Sequence, residues 1–318
     1  MDELDTVIRQ VFRLLNEMMS VFIWGLEENN YSGFSLAEID LKDLGVTGRS
    51  FDVLMEQVKR PNGMVVTTGP TGSGKTTTLY AMLQELNKPG VKIITLEDPV
   101  EYRMPGINQS QIDPSRDYTF ASGLRALMRQ DPDIAMVGEM RDLETVDVAI
   151  QAALTGHLII STIHSNSASG AIPRFLSMGA KPFLLAPALR AVMGQRLLRR
   201  LCDKCKIKAE ITPSILARIA EAFEKMAPGV KQPDSNTEFF APKGCEECSN
   251  LGYFGRIGIF EIFKLDDQIE ALILKGNCSE AEVKIVAIGQ GMVTLVQDGI
   301  FKAATGVTSL DEVFRVAE

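Results

Sequence analysis

Residues 64–80 read MVVTTGPTGSGKTTTLY. A short apolar run enters a glycine-rich turn, and the turn opens into a stretch with helical spacing. GPTGSGKT at 69–76 fits G-x-x-x-x-G-K-[ST] without a mismatch, a pattern that chance alone gives in roughly one chain in a hundred of this length. Its setting, after a strand and before a helix, is the one a phosphate-binding loop needs. The glycines let the backbone curl so that N–H groups point inward, and the helix N-terminus adds a partial positive charge. Gly69, Pro70, Thr71, Gly72, Ser73, Gly74, Lys75, Thr76 and Thr77 are therefore candidates for binding ATP. Lys75 is expected to reach the β- and γ-phosphates and the Thr76 hydroxyl to hold Mg²⁺.

Downstream, apolar runs alternate with helical stretches. Strands are expected at 64–68, 91–97, 134–137 and 157–163; a glycine-rich turn and a helix through Asn87 follow the first, and helices over 119–129 and 143–154 lie between the others. Such alternation implies βαβ units and a mainly parallel sheet. The runs are solidly apolar because both faces of such a sheet are covered. The fold expected is α/β, a P-loop nucleotide-binding core.

A P-loop also needs carboxylates at the ends of neighbouring strands. The 134–137 run ends in Gly138-Glu139, a Walker B form with Glu in place of the commoner Asp, so Glu139 joins Thr76 as a candidate magnesium ligand. The 91–97 run ends in Glu97. In an open α/β sheet the carboxyl ends of the strands share one crevice, which places Glu97 and Glu139 near the γ-phosphate unless each is a solvated strand-end acid. His164 follows the fourth strand at the same edge, as a γ-phosphate sensor or as a structural histidine. His157 begins that strand at the far end and reads as structural. Arg125, Arg129 and Arg141 lie beside the acids, as phosphate or subunit contacts or as salt-bridge partners.

The chain has 5 cysteines. Cys202-x-x-Cys205 and Cys245-x-x-Cys248 supply four thiolates, enough for a closed structural zinc site, against the alternative of four buried reduced thiols. A helix over 212–226 is expected in the gap between the pairs. Cys278 reads as a small buried residue.

At 318 residues, 45% hydrophobic and with a net charge of -8, the chain can bury a sizeable core, and its acidity argues against a general nucleic-acid binder. It leaves room for a local basic patch of Arg196, Arg199, Arg200, Lys204, Lys206 and Lys208. No window reaches the roughly 18 apolar residues of a membrane span. The start, MDELD, lacks the basic character of a secretory signal, which points to the cytoplasm. Leu4, Val7, Ile8, Val11, Leu14, Leu15, Met18 and Phe22 form one helical stripe. The division expected is an N-terminal helix and linker over 1–35, the core over 36–200, a four-cysteine insert over 201–255 and a C-terminal helical part over 256–318.

Together these segments resemble the type II secretion and type IV pilus-assembly ATPases. The resemblance is carried by GPTGSGKTTTLY at 69–80, ITLEDPVEY at 94–102, RQDPDIAMVGEMRD at 129–142 and ALTGHLIISTIHSN at 153–166. QRLLRRLCDKCK at 195–206 and GYFGRIGIFEI at 252–262 match too. It implies a RecA-like core and a hexameric motor at the inner membrane that drives pilus assembly or secretion through a platform protein. By matching positions, Glu97 becomes the acid that polarises water, Glu139 the Walker B acid and His164 the histidine-box residue. The cysteine pairs favour the assembly or secretion branch over retraction motors. The family places an arginine-bearing domain before the core, and fewer than 40 residues precede the matching region here. Arginine supplied in trans is worth about 10³–10⁵ in rate in other P-loop enzymes. The expectation is a chain that binds ATP but turns it over poorly alone, and the alternative is a truncated, non-hydrolysing partner of a full-length homologue.

Overall fold

The computed structural model describes residues 39–227, 229–234 and 237–317. The helix and loop expected over 1–35 lie outside the described residues.

Seven strands form the central sheet. They are β1 (Gly63–Thr68), β2 (Ile93–Glu97), β3 (Asn108–Gln111), β4 (Ile134–Val137), β5 (Leu158–Ile163), β6 (Leu189–Leu201) and β9 (Tyr253–Lys264), in spatial order β3-β2-β4-β5-β1-β6-β9. All neighbours run parallel except β6 and β9, which pair antiparallel. The four strands read from the apolar runs are present, and β1, β2, β4 and β5 are buried along their whole length.

Successive side chains of a strand point to opposite faces, and each face is covered. Val65, Met136 and Ile160 pack under α2 (Lys75–Leu86) through Leu79, Met82 and Leu83, and under α1 (Gly48–Val58) through Leu54 and Val58. Met64, Val66, Val137 and Ile159 pack on the other face against α3 (Phe120–Met128) and α4 (Leu143–Leu154), through Leu124, Val146 and Ile150. The caps are local and legible. Thr119 and Ser122 form a capping box on α3, and the Asp142 carboxylate accepts the Thr145 amide at the start of α4.

The chain departs from expectation beyond β5. Residues 253–264, whose greater part was expected to open a helical segment, form strand β9. It runs beside β6, with Gly194 opposite Glu261. Both long strands extend past the parallel sheet, so the cysteine segment is held between two strands of the sheet rather than joined by a free linker. Their far ends carry a third core, where Leu198, Ile257 and Ile259 meet α10 (Leu295–Ala304) and α11 (Leu310–Ala317) through Ile300, Val313 and Phe314. The helix in the cysteine gap, α7, is shorter than expected and spans Pro213–Ala222. After it the Phe223 amide is shared among several carbonyls, a tightened last turn.

The basic patch is largely neutralised. Lys204, Lys206 and Lys208 pair with Glu247, Asp203 and Glu238, and Arg199 pairs with Glu312. Glu312 is buried and accepts from the Arg199 amide at 3.0 Å and from Arg199 Nη2 and Arg315 Nε at 2.7 and 2.8 Å. Burial pushes its carboxyl up, but the Arg315 and Arg199 bonds outweigh it and hold the group at about 2. An acid whose folded pKa is depressed stabilises above its unfolded pKa, and that stability disappears as pH falls through the folded value. Glu312→Gln is therefore expected to lower unfolding free energy at pH 7 by about 3 kcal/mol and to flatten the decline between about pH 4.5 and 2. Urea titrations across that window measure both effects.

Candidate nucleotide site and cysteine cluster

The turn at 69–76 sits at the carboxyl end of β1, between the ends of β5 and β6. Gly69 has φ 152° and its missing Cβ would lie 2.5 Å from the Gln195 carbonyl, so no other residue fits there. Gly74 caps α2 in the left-handed region at φ 83°. The first amides of α2 have no carbonyl to bond within the helix. Lys75 folds over its own loop, with Nζ donating to the Gly69 and Pro70 carbonyls at 3.0 and 3.1 Å. Burial pulls the Lys75 pKa down, Glu139 pulls it back up and Arg196 lowers it. The Thr78 hydroxyl is bonded to the Gly74 carbonyl at 3.2 Å. The exposed Thr76 hydroxyl has no protein partner among the described residues.

The acids lie where the strand order sends them. β4 neighbours both β2 and β5, so Glu97, Glu139 and His164 emerge at the ends of three adjacent strands. Glu139 is 13% exposed and pairs with Arg141 and, at 3.1 Å, with His164 Nε2. The Glu139 hydrogen bond raises the Arg141 pKa. Glu139 is thus held by two cationic or titratable partners, and its charge acts through space on the loop lysine. The Thr76 hydroxyl and the Glu139 carboxylate are both oxygen donors of the kind that suits Mg²⁺.

Glu97 is turned inward. It is 2% exposed, and its carboxylate accepts from the Tyr80 hydroxyl, from the Thr95 hydroxyl at 2.5 Å and from Gln109 Nε2 at 3.2 Å. Burial first, then the bond to Glu97, pushes the Tyr80 phenol well above its ordinary value. Tyr80 lies one helical turn past Thr76 on α2, so Glu97 is tied to the helix that carries the P-loop.

The remaining candidates separate. Arg125 pairs with Glu144 at 2.8 Å, Arg141 pairs with Glu139, and Arg129 is exposed beyond α3. His157 Nδ1 lies 3.1 Å from the Ala152 carbonyl at the opposite end of β5, a structural contact. Sequence reasoning did not place Tyr80, Gln109, Gln195 or Arg196 at this site. For Tyr80 a signal exists, the i to i+4 spacing from Thr76. For the others none does, because strands remote in sequence bring them in.

The four cysteines of the two CxxC pairs converge, with all four Sγ atoms within 4.8 Å of one another. Cys202–Cys245, Cys205–Cys248 and Cys245–Cys248 are 3.9, 3.8 and 3.7 Å apart. A tetrahedron with Zn–S of about 2.3 Å has edges of about 3.8 Å, so the cluster fits zinc in a closed site. Cys248 Sγ also accepts the Cys245 and Gly252 amides at 3.2 Å. Burial pushes its thiol up, but these amides and the neighbouring thiols bring it to about 6, and burial pushes Cys205 up to about 11. Cys278 is buried in the main core, as expected.

Comparison with known proteins agrees with this architecture. The family model of type II/IV secretion system proteins matches residues 32–315. Type II secretion system protein E of Klebsiella pneumoniae is 47% identical over 281 residues, covering 88% of this chain and 54% of the relative. Type IV pilus assembly ATPase PilB of Thermus thermophilus is 43% identical over 275 residues, covering 86% of this chain and 30% of the relative. The crystal structure of the pilus retraction motor PilT with bound ADP superposes with a TM-score of 0.60 at 27% identity, covering 87% of this chain and 64% of that one. The chain spans about half the length of the curated type II relatives it matches. The P-loop at the end of β1, the acids on adjoining strands and a match over nearly the whole sequence place this chain in the type II/IV secretion system protein family.

Proposed function

We propose that this chain hydrolyses ATP with Mg²⁺ and works in a ring, a hexamer, that powers type IV pilus assembly or type II secretion through an inner-membrane platform protein. The observation that carries this reading is the glycine-rich turn with Lys75 folded over it at the end of β1, with Glu97, Glu139 and His164 on the ends of the adjoining strands. The amides of 69–76 and Lys75 hold the phosphates. Thr76 and Glu139 hold the magnesium ion, which neutralises phosphate charge when bound. Glu97 turns out from beneath Tyr80 and orients a water toward the γ-phosphate, and His164 senses that phosphate from β5. The four cysteines hold a structural zinc. Among the described residues no helix is long and apolar enough to cross a membrane.

Lys75→Ala tests the phosphate site. It removes a charge-assisted contact to the β- and γ-phosphates, and ATP affinity is expected to fall about 10- to 100-fold. Calorimetric titration with MgATP, with oligomer mass recorded alongside, measures it. Unchanged affinity would remove the P-loop from the account. A wild-type chain that binds ATP without steady-state turnover would favour a nucleotide-binding partner subunit instead.

A further inference from the structure

The end of β6 carries an arginine that neither the motif reading nor the proposed mechanism uses. The last pairing of β6 with β1 sets Gly194 opposite Thr68, so Gln195 and Arg196 continue alongside the start of the phosphate turn. The Gln195 carbonyl abuts Gly69. Arg196 Nη1 donates to that carbonyl at 3.4 Å, and Nη2 donates to the carbonyl of Asn166, two residues after His164. Arg196 thus ties the end of β6, where it runs beside the phosphate turn, to the histidine loop. That loop is itself tied to β1, where the Thr68 hydroxyl meets the Ser165 amide at 2.9 Å.

Arg196 is half-buried. Among the described residues no carboxylate lies within ion-pair distance of it, and Glu261 acts on it only through space. A guanidinium has five N–H donors, and two carbonyl contacts leave donors to spare. Two desolvated cations, Lys75 and Arg196, therefore stand at one turn and hold mainly neutral carbonyls. Burial lowers the pKa of both, and the Arg196 charge lowers that of Lys75 further. Such a pair is unfavourable unless an anion neutralises it.

We infer that Arg196 is a second cationic ligand for the nucleotide phosphates, supplied by β6 of the same chain, and that it contacts the terminal phosphate. The terminal position follows from its neighbourhood. It donates to the Gln195 carbonyl that abuts Gly69, whose own carbonyl holds the Lys75 ammonium, and it holds the loop that follows His164. The inference rests on the phosphate-site reading of the turn, and it gives this chain an arginine at the phosphates without any contribution in trans.

Calorimetric affinities for MgATP and MgADP, with nucleotide-free Tm, test it on wild type, Arg196→Gln and Arg196→Lys. Arg196→Gln is expected to weaken ATP binding about 10- to 100-fold and ADP binding several-fold less, with Tm unchanged. Arg196→Lys keeps the charge but not the planar fork, and falls between the two. Wild-type ATP and ADP affinities in Arg196→Gln overturn the inference while leaving the phosphate site standing. Equal losses for both nucleotides together with a lowered Tm also overturn it, because a purely structural arginine behaves that way. Should Arg196→Gln fail to fold, the ATP-to-ADP affinity ratio of Arg196→Lys decides: a reduced ratio supports the inference, and a wild-type ratio ends it. Failure of the wild type to bind either nucleotide defeats the phosphate-site reading and this inference with it.

Discussion

Glu97→Gln keeps MgATP bound and lowers turnover by about 10²- to 10⁴-fold, the range expected when a positioned acid–base group is removed. The substitution preserves shape and removes only the charge and the proton acceptor. The phosphate contacts come from the turn at 69–76 and from Lys75, none of which touches Glu97, so affinity is retained. The buried pocket accepts the amide, because its oxygen can accept a hydrogen bond from one of the Tyr80 and Thr95 hydroxyls while its NH2 donates to the other. Single-turnover hydrolysis and equilibrium binding on one preparation separate the two effects. Tyr80→Phe supplies a control with its own direction. It releases one tether on Glu97 while leaving the carboxylate, so its turnover falls far less than that of Glu97→Gln. A Glu97→Gln enzyme with wild-type turnover would shift the water-orienting role to Glu139.

The second large effect concerns the cysteine cluster. Stripping zinc with a chelator, or substituting Cys248→Ser, is expected to open the segment between β6 and β9 to protease while residues 40–200 stay protected. Structural zinc in small modules contributes on the order of 10 kcal/mol. The segment's other ties are α7, the short strands β7 (Ile207–Lys208) and β8 (Phe240–Ala241), and the third core, into which Ile219, Phe223 and Phe239 pack. The two large cores on the faces of the sheet contain no residue from 202–252, so the nucleotide fold does not depend on the metal. Limited proteolysis with mass spectrometry, read beside zinc content, measures the outcome. A purified chain that carries no zinc and resists protease equally before and after chelation would contradict it.

What the sequence shows depends on how local each feature is. β1, β2, β4 and β5 are legible because strands buried on both faces are written as solid apolar runs. The P-loop is legible because one continuous turn and one helix start make it. The cysteine cluster is legible from spacing, since two CxxC pairs already supply a full tetrahedral set. β3 is not, because Asn108–Gln111 is a polar edge strand that pairs only with β2. β6 and β9 are not, because their pairing joins segments far apart in the chain, and Arg196, Arg199 and Arg200 dilute the apolar pattern of β6. The inward turn of Glu97 is invisible for a similar reason. Its strand end can be read, but two of the donors that hold it, Tyr80 and Gln109, sit on α2 and β3. The arginines follow the same rule: Arg125 is claimed by Glu144 only once α3 and α4 lie side by side.

The most direct measurement is a structure of the chain bound to Mg²⁺ and a non-hydrolysable ATP analogue. The account predicts the triphosphate enclosed by the amides of 69–76, the ion between Thr76 and Glu139, and the Glu97 carboxylate turned from Tyr80 toward the γ-phosphate. Nucleotide seated elsewhere, or a filled turn with Glu139 still closed on Arg141 and Glu97 still buried under Tyr80, would contradict it.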